Sequence, residues 1–560
     1  MIADLDESGP EAPDGLPEYD LCVVGSGPAG ATLARELVNS GLRVAVLESG
    51  RRRPTRYGDE LREVESTGIH VKAYSRERVL GGASTTWAGL SSPLDEIDMG
   101  PRPWVNSEGW PIARDELFGY YGLAGQRYRF PDLEDFGPDG IRKLRDEGAL
   151  QPEWEVLDEK VFLAASEPQN FGKEWTETYE DSGVDLWLDA SVVELAGPRD
   201  KVEFARIRTR SGREYRLRAS AFVLATGGIE NARLLLVSRD AAETGLGNDH
   251  DQVGRYFMNH PKNYGGIIRF KSDVGDLPYF FGCLHRGFAG YGGLRLREDE
   301  QRKRKLLNSY VRLEPIFPWT DSEGVESLVT LVKRSGSFFK SWKRRRTEEV
   351  VTLRDYSETG DDNERQNEGR GPLAMLKHLV TVVLHLPSVS KYLFYRLSRV
   401  RPRIRTARLR NFMEMEPNPE NRVVLDERSD RHGTPLARVV HAPTTTDRQS
   451  LLDLHAAIET ELIRTGAGSL EGRLENADPW PIDQDASHHM GTTRMGLDPR
   501  TSVVDTDLRV HGVENLYCAG ASVFPTSGCA NPTFTIVALS IRLAEHLADE
   551  LGKTPREVTA

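Results

Sequence analysis

Along the 560-residue chain, short apolar runs pass three times through a glycine-bearing turn into a helical pattern. Tyr19 to Val24 is the first run, and a continuous apolar stretch of that length reads as a strand buried on both faces. It enters Gly25-Ser26-Gly27-Pro28-Ala29-Gly30, after which Leu33, Leu37 and Val38 follow a helical period. Leu42 to Leu47 is a further apolar run, closed by Glu48. The second case is Ala221 to Ala225, where Thr226-Gly227-Gly228 opens a helix with Asn231 and Leu234 to Leu236. The third is Asn515 to Ala519, followed by a turn rich in Gly and Pro and, after Asn531, an apolar-periodic helix. Between the first two, Val184–Leu188, Ser191–Leu195, Ala205–Thr209 and Glu214–Arg218 alternate with period two, with Ser211-Gly212 as one turn.

From Lys262 to about Trp480 the pattern changes. Residues 265–270, 309–313 and 410–416 read as strands of a second, mostly antiparallel sheet, and the last of them leads into 417–425. Thr444 to Thr465 is a helix with caps at its start, an apolar face from Leu451 to Leu462, and Gly466 as its stop. An insertion at 333–405 interrupts this part. It holds the basic run Lys343 to Arg346 and a charged stretch, Ser357 to Arg370, expected to be disordered. Next comes a strongly apolar run, Leu373 to Leu386, then Pro387, Tyr392 to Tyr395 and five spaced arginines ending at Arg405. Each apolar run is too short to span a bilayer. A lid or entrance whose apolar face packs on the body is the first reading, and contact with an anionic membrane surface is the competing one.

The first glycine turn carries chemistry. Gly25 permits the tight turn, Gly27 lets the backbone approach a pyrophosphate, and Gly30 lets the helix pack closely on the strand. The helix N-terminus offers free N–H groups to phosphates, and Glu48, about 20 residues on, suits ribose hydroxyls. The pattern predicts a dinucleotide site. A formal charge of -13 argues against a nucleic-acid partner. Four cysteines without a C-x-x-C pair suggest neither a disulfide framework nor a zinc site, and no metal is expected. Residues 1–17 lack the basic start and apolar core of an export signal and read as a disordered leader, which makes a cytoplasmic location the expectation.

Further motifs are Gly81 to Trp87 (G-G-A-S-T-T-W), Gly109 to Ile112 (G-W-P-I), Val223 to Arg233 (V-L-A-T-G-G-I-E-N-A-R), Val253 to Pro261 (V-G-R-Y-F-M-N-H-P), and the stretch from Ser487 to Asn531. With them the chain resembles the glucose–methanol–choline (GMC) flavin oxidoreductases, in particular their pyranose-oxidase-like branch. The resemblance covers nearly the whole chain except roughly 270–405. It implies an α/β fold, α+β overall: a Rossmann-like FAD-binding domain from 18–103, 185–261 and 481–560, a connecting segment 104–184, and a substrate-binding domain 262–480. It implies FAD rather than NAD, held by Gly25, Gly27, Gly30, Glu48, Gly82, Ser84, Thr86, Trp87, Val193, Thr226, Gly227, Gly520, Asn531, Pro532 and Thr533. Counting back four positions from Thr492 makes His488 the catalytic histidine, with His489 the fallback, and Asn531 the second catalytic position. Asn531 before Pro532 also reads as a helix N-cap. Relatives in this branch carry flavin covalently on a histidine where this chain has Thr86, so FAD is expected to be non-covalent. The implied substrate is a sugar, glycoside or related alcohol, with O2 or another electron acceptor. A non-redox lyase and a membrane-associated dehydrogenase are the alternatives. Oligomeric state is not legible.

Overall fold

The computed structural model describes residues 1–137, 140, 153–165, 167–180, 183–281, 283–285, 288–334, 372–398, 400–482 and 487–552. The charged stretch at 357–370 and the basic run at 343–346 lie outside these residues.

The first glycine turn sits in a parallel sheet. Strands β1 (Ile2–Asp4), β6 (Val184–Leu188), β3 (Val44–Leu47), β2 (Tyr19–Val24) and β9 (Glu214–Leu224) lie side by side in that order, all parallel. The upper half of β9 also pairs in parallel with β18 (Leu516–Cys518), and its lower half with β8 (Phe204–Arg208) in an antiparallel meander that ends at β7 (Ser191–Ala196). All four residues of β3 are buried, as a strand covered on both faces requires. Helices at Pro28–Glu36, Arg114–Tyr128 and Thr533–Glu550 pack together on this sheet and share its core.

The second sheet is antiparallel: β11 (Cys283–His285), β12 (Phe288–Leu296), β13 (Tyr310–Pro315), β14 (Thr406–Phe412), β10 (Lys262–Phe270) and β17 (Gly468–Glu471), with β5 (Leu157–Ala165) added beside β12. It has its own core, against which the Thr445–Arg464 helix packs; Thr444 and Asp447 cap that helix reciprocally. A small third sheet joins β15 (Arg422–Ser429), β16 (Pro435–Val440) and β4 (Val64–Thr67).

Four sequence expectations are corrected. Residues 1–17 are not a disordered leader: β1 pairs with β6, and Leu5 is fully buried in the main core. The strand expected at 410–416 ends at Phe412, and the chain leaves the second sheet there. Residues 422–440 therefore do not belong with the second sheet; Val423, Ala437 and Val439 enter the FAD-side core. Finally, the apolar part of the insertion packs on the body only in part: Val389 is buried and the Tyr395 ring lies against Trp319, but much of the apolar surface is turned out. Its helices, Pro372–Leu384 and Leu386–Ser398, lie on the Glu323–Arg334 helix and turn Leu376, Val383, Leu384 and Phe394 outward at 57, 68, 74 and 58% exposure.

Candidate active site

One long cleft runs from the first glycine turn to the second sheet. At one end, Gly25 has φ +103°, and a side chain there would strike Ala225 O at 2.6 Å. A Cβ on Gly30 would lie 1.9 Å from Gly25 O, so this glycine serves packing and does not line the cleft. Gly27 differs: nothing of the chain lies within 4 Å of an added Cβ, and its bare backbone faces the cleft at the N-cap of the Pro28–Glu36 helix. That is the cradle a pyrophosphate needs. Glu48 ends β3 at the cleft wall, where it accepts hydrogen bonds from Ser26 N and Oγ (3.2 and 2.5 Å) and from Gly50 N (2.8 Å). The carboxylate is thereby fixed with lone pairs to spare for a ribose.

The other expected cofactor residues gather on the same cleft: Gly82, Ser84, Thr86, Trp87, Val193, Thr226, Gly227, Gly520, Asn531, Pro532 and Thr533. Gly82 brings the second glycine segment to within 3.1 Å, measured from an added Cβ, of the Gly27 Cα. Ser84 Oγ caps the local turn, donating to Gly81 O and accepting from Phe171 N. Asn231 ties the second turn to the third: its Oδ1 accepts from Thr226 N and Oγ1, and its Nδ2 donates to Ala519 O and Ser522 Oγ. The residues present fit an FAD, with a phosphate cradle, a ribose acceptor and three converging glycine turns. Asn531 does not cap the last helix: Pro532 occupies the cap position and no side chain bonds there. Asn531 lines the cleft instead.

Beyond this lies the histidine pair. Met258 and Met490 exchange both backbone hydrogen bonds in an isolated antiparallel bridge, at 3.0 Å each. Two residues outward on one face, His260 and His488 meet, Nδ1 to Nδ1 at 3.0 Å. His260 Nε2 lies 2.8 Å from Gly528 O, which can only accept, so that nitrogen carries the proton. Nδ1 of His260 is then the acceptor, His488 Nδ1–H the donor, and Nε2 of His488 is left without a proton. Burial lowers both histidines: His260 to about 4, and His488 well below its ordinary value, with the charges of His260 and Lys262 acting in the same direction. Both rings are neutral at neutral pH. His489 instead lies over the Phe257 ring, with centroids 5.8 Å apart.

His260 was not singled out from the sequence, although it stands in the motif Val253 to Pro261. Nor were Lys262, Tyr291, Tyr310, Arg312, Arg410 and Phe412, which the second sheet contributes to the far wall. Period-two alternation in β13 and β14 was the available signal, but it does not reveal which face meets the cleft.

A family model for GMC oxidoreductase matches residues 417–540, a span that includes His488 and Asn531, and one for an NAD(P)-binding Rossmann-like domain matches 23–54. The large subunit of fructose dehydrogenase from Gluconobacter japonicus is 23% identical, over 95% of this chain and 98% of its own. The 6'''-hydroxyparomomycin C oxidase of Streptomyces lividus is 25% identical over 97% and 95%. A C-glycoside 3-oxidase from Arthrobacter globiformis is 38% identical over 24% of this chain and 25% of its own. Pyridoxine 4-oxidase from Mesorbium loti shares the fold, with a TM-score of 0.52 and 16% identity over 94% of this chain and 98% of that one. Over residues 417–540 the chain matches the GMC oxidoreductase family. It is an FAD-dependent oxidoreductase acting on CH–OH groups.

Proposed function

We propose that the chain oxidises a hydroxyl of a sugar, glycoside or related alcohol to a carbonyl, with His488 taking the proton and Asn531 holding the substrate oxygen. The observation that carries this reading is the chain Gly528–His260–His488, which leaves a basic Nε2 on a neutral, half-buried imidazole in the cleft. When bound, FAD supplies the acceptor for the hydride that leaves carbon. His488 Nε2 accepts the hydroxyl proton, while its Nδ1–H stays donated to His260 and keeps the ring oriented. The Asn531 amide donates to the oxygen as negative charge develops there. Fructose dehydrogenase and C-glycoside 3-oxidase, named among the relatives, support a sugar or glycoside as substrate. FAD is held without a covalent bond: Thr86, at the position expected to carry a tether, donates its hydroxyl to Tyr74 O at 3.0 Å. The test is anaerobic mixing of the yellow holoenzyme with a panel of sugars and glycosides. Bleaching supports the reading, and a panel that bleaches nothing overturns it in favour of a non-redox role. Peroxide formed in air identifies O2 as acceptor. Acid precipitation should leave all colour in the supernatant.

The acceptor has a second reading, favoured by the outward apolar face of the insertion. Helices Pro372–Leu384 and Leu386–Ser398 contain no acidic residue in a chain of charge -13, and Lys377, Lys391, Arg401, Arg403 and Arg405 accompany them. Among the described residues no helix is long and apolar enough to cross a membrane. This composition suits lying on an anionic lipid surface, where a dehydrogenase meets a quinone. Co-flotation with anionic vesicles at physiological salt supports it, and protein that stays at the bottom of the gradient excludes it.

A further inference from the structure

The far wall of the cleft is a cationic sheet face. Strands β13 and β14 pair in register, so that Tyr310 stands opposite Phe412, Arg312 opposite Arg410, and Glu314 opposite Arg408. Residues two apart share a face. β10 brings Lys262 opposite Phe412 on the other side. Four cations thus crowd one patch, with Arg312 and Arg410 directly across from each other, where like charges repel. Glu314 answers three of them, accepting from Arg312 Nη2, from Arg408 Nε at 3.1 Å and from Arg410 Nη1 at 3.3 Å, and Asp321 also accepts from Arg408 Nη1 at 3.0 Å. Burial and the Arg312 charge hold the Arg410 guanidinium below its ordinary value.

Arg312 is the telling residue. It is 2% exposed, and its Nε and Nη1 have no hydrogen-bond partner among the described residues. The rings of Tyr291 and Phe412 lie 5.3 and 5.9 Å from its guanidinium carbon; they offer π faces but no acceptor for in-plane N–H groups. A buried guanidinium with two unanswered donors is costly unless a ligand completes it. Arg312, Arg410 and Lys262 line the cleft together with His488, and Lys262 lies close enough to His488 to influence its protonation. An anion in this cleft would supply the missing acceptors on the same wall as Lys262, whose charge reaches His488.

We propose that the substrate carries an anionic oxygen group, a carboxylate or a phosphate, which docks on Arg312 with Lys262 and Arg410 while a hydroxyl elsewhere on the same molecule meets His488. This rests on the oxidation proposed above and narrows its substrate to acidic sugars, sugar phosphates or hydroxy acids. The planar guanidinium fork suits both anions. The acidic total charge gives no hint of it, because the cationic patch is local and internal.

The experiment compares glucose, glucuronate and glucose 6-phosphate as reductants of the anaerobic holoenzyme, with inorganic phosphate as a binding probe read by its perturbation of the flavin spectrum. The two anionic sugars should show a KM about 10- to 100-fold below that of glucose, the range expected for one or two charge-assisted hydrogen bonds. Arg312→Gln should collapse that preference, and Arg312→Lys should restore part of it. The anionic sugar with the larger preference identifies the source of the anion. Equal KM values in the wild type, with Arg312→Gln altering all three alike, overturn the anion site and leave the oxidation reading standing. If no sugar bleaches the flavin, the oxidation reading fails and the phosphate titration decides. A saturable spectral change lost in Arg312→Gln supports the anion site, and none in the wild type overturns it. Should Arg312→Gln not retain FAD, Lys262→Gln takes its place in the same comparison.

Discussion

Nε2 of His488 is basic because of where one proton sits two residues away in space. Gly528 O fixes the His260 tautomer, and His260 fixes that of His488. His488→Ala should slow anaerobic flavin reduction by about 10²–10⁴-fold, the range for a lost general base, with FAD still bound. His489→Ala should do far less, because that ring packs on Phe257. Stopped-flow absorbance measures both, and a crippled His489 variant with an active His488 variant would sink the assignment. The pH dependence has a definite sign. Burial lowers the His488 pKa, so the base stays unprotonated below pH 6.5, and the reduction rate should hold its plateau through that pH and fall only in more acid solution. A half-maximal point at or above 6.5 contradicts this. His488 and Asn531 were legible as family positions. His260 was not, because its role depends on the Met258–Met490 bridge between segments more than 200 residues apart. Arg312 escaped notice for a related reason: an arginine in an alternating strand reads as solvated until the facing strand is known.

At the scale of elements, the glycine turns read best, since their requirement is local. The run from Tyr19 through Gly30 to Glu48 predicts strand, turn, helix and strand, and the structure has them at Tyr19–Val24, Pro28–Glu36 and Val44–Leu47. The three glycines nevertheless differ, and a pair of substitutions separates their roles. Gly30→Ala forces a methyl to 1.9 Å from Gly25 O, so it should lower the melting temperature of the apoprotein itself. Gly27→Ala meets no chain atom within 4 Å, so the apoprotein should melt as the wild type does while FAD affinity falls. Apoprotein melting and FAD titration check the two. An unchanged FAD affinity in Gly27→Ala would remove the phosphate from that turn. The insertion read poorly for the opposite reason. A strongly apolar run marks a helix that needs cover, but the run does not state what covers it, and the expected body contact is absent at Leu376, Val383 and Leu384.

On the scale of the whole molecule, two cores meet across the cleft, and contacts distant in sequence must hold them in one arrangement. The change of period near Lys262 was legible, and β10 enters the second sheet there; the strands at 422–440 were not, because they pair with β4 from far upstream. One tie between the parts is ionic. Arg102 donates from both terminal nitrogens to Glu414, at 2.8 and 2.6 Å, and both side chains are fully buried. The pair links the chain just ahead of residue 104 to the residues that follow β14, beside the Asp98 carboxyl that abuts Gly528 and so the carbonyl that orients His260. A buried ion pair adds little net stability over apolar residues of similar volume, yet breaking it from one side strands a charge. Arg102→Met and Glu414→Leu should therefore each destabilise by about 3–5 kcal/mol, and the double variant should recover most of that loss. Denaturant unfolding of the three variants measures the cycle. Because the link runs on towards His260, the single variants should also slow flavin reduction, and the double variant should regain rate and stability together. Stability regained without rate would mean that the tie holds the domains but not the base.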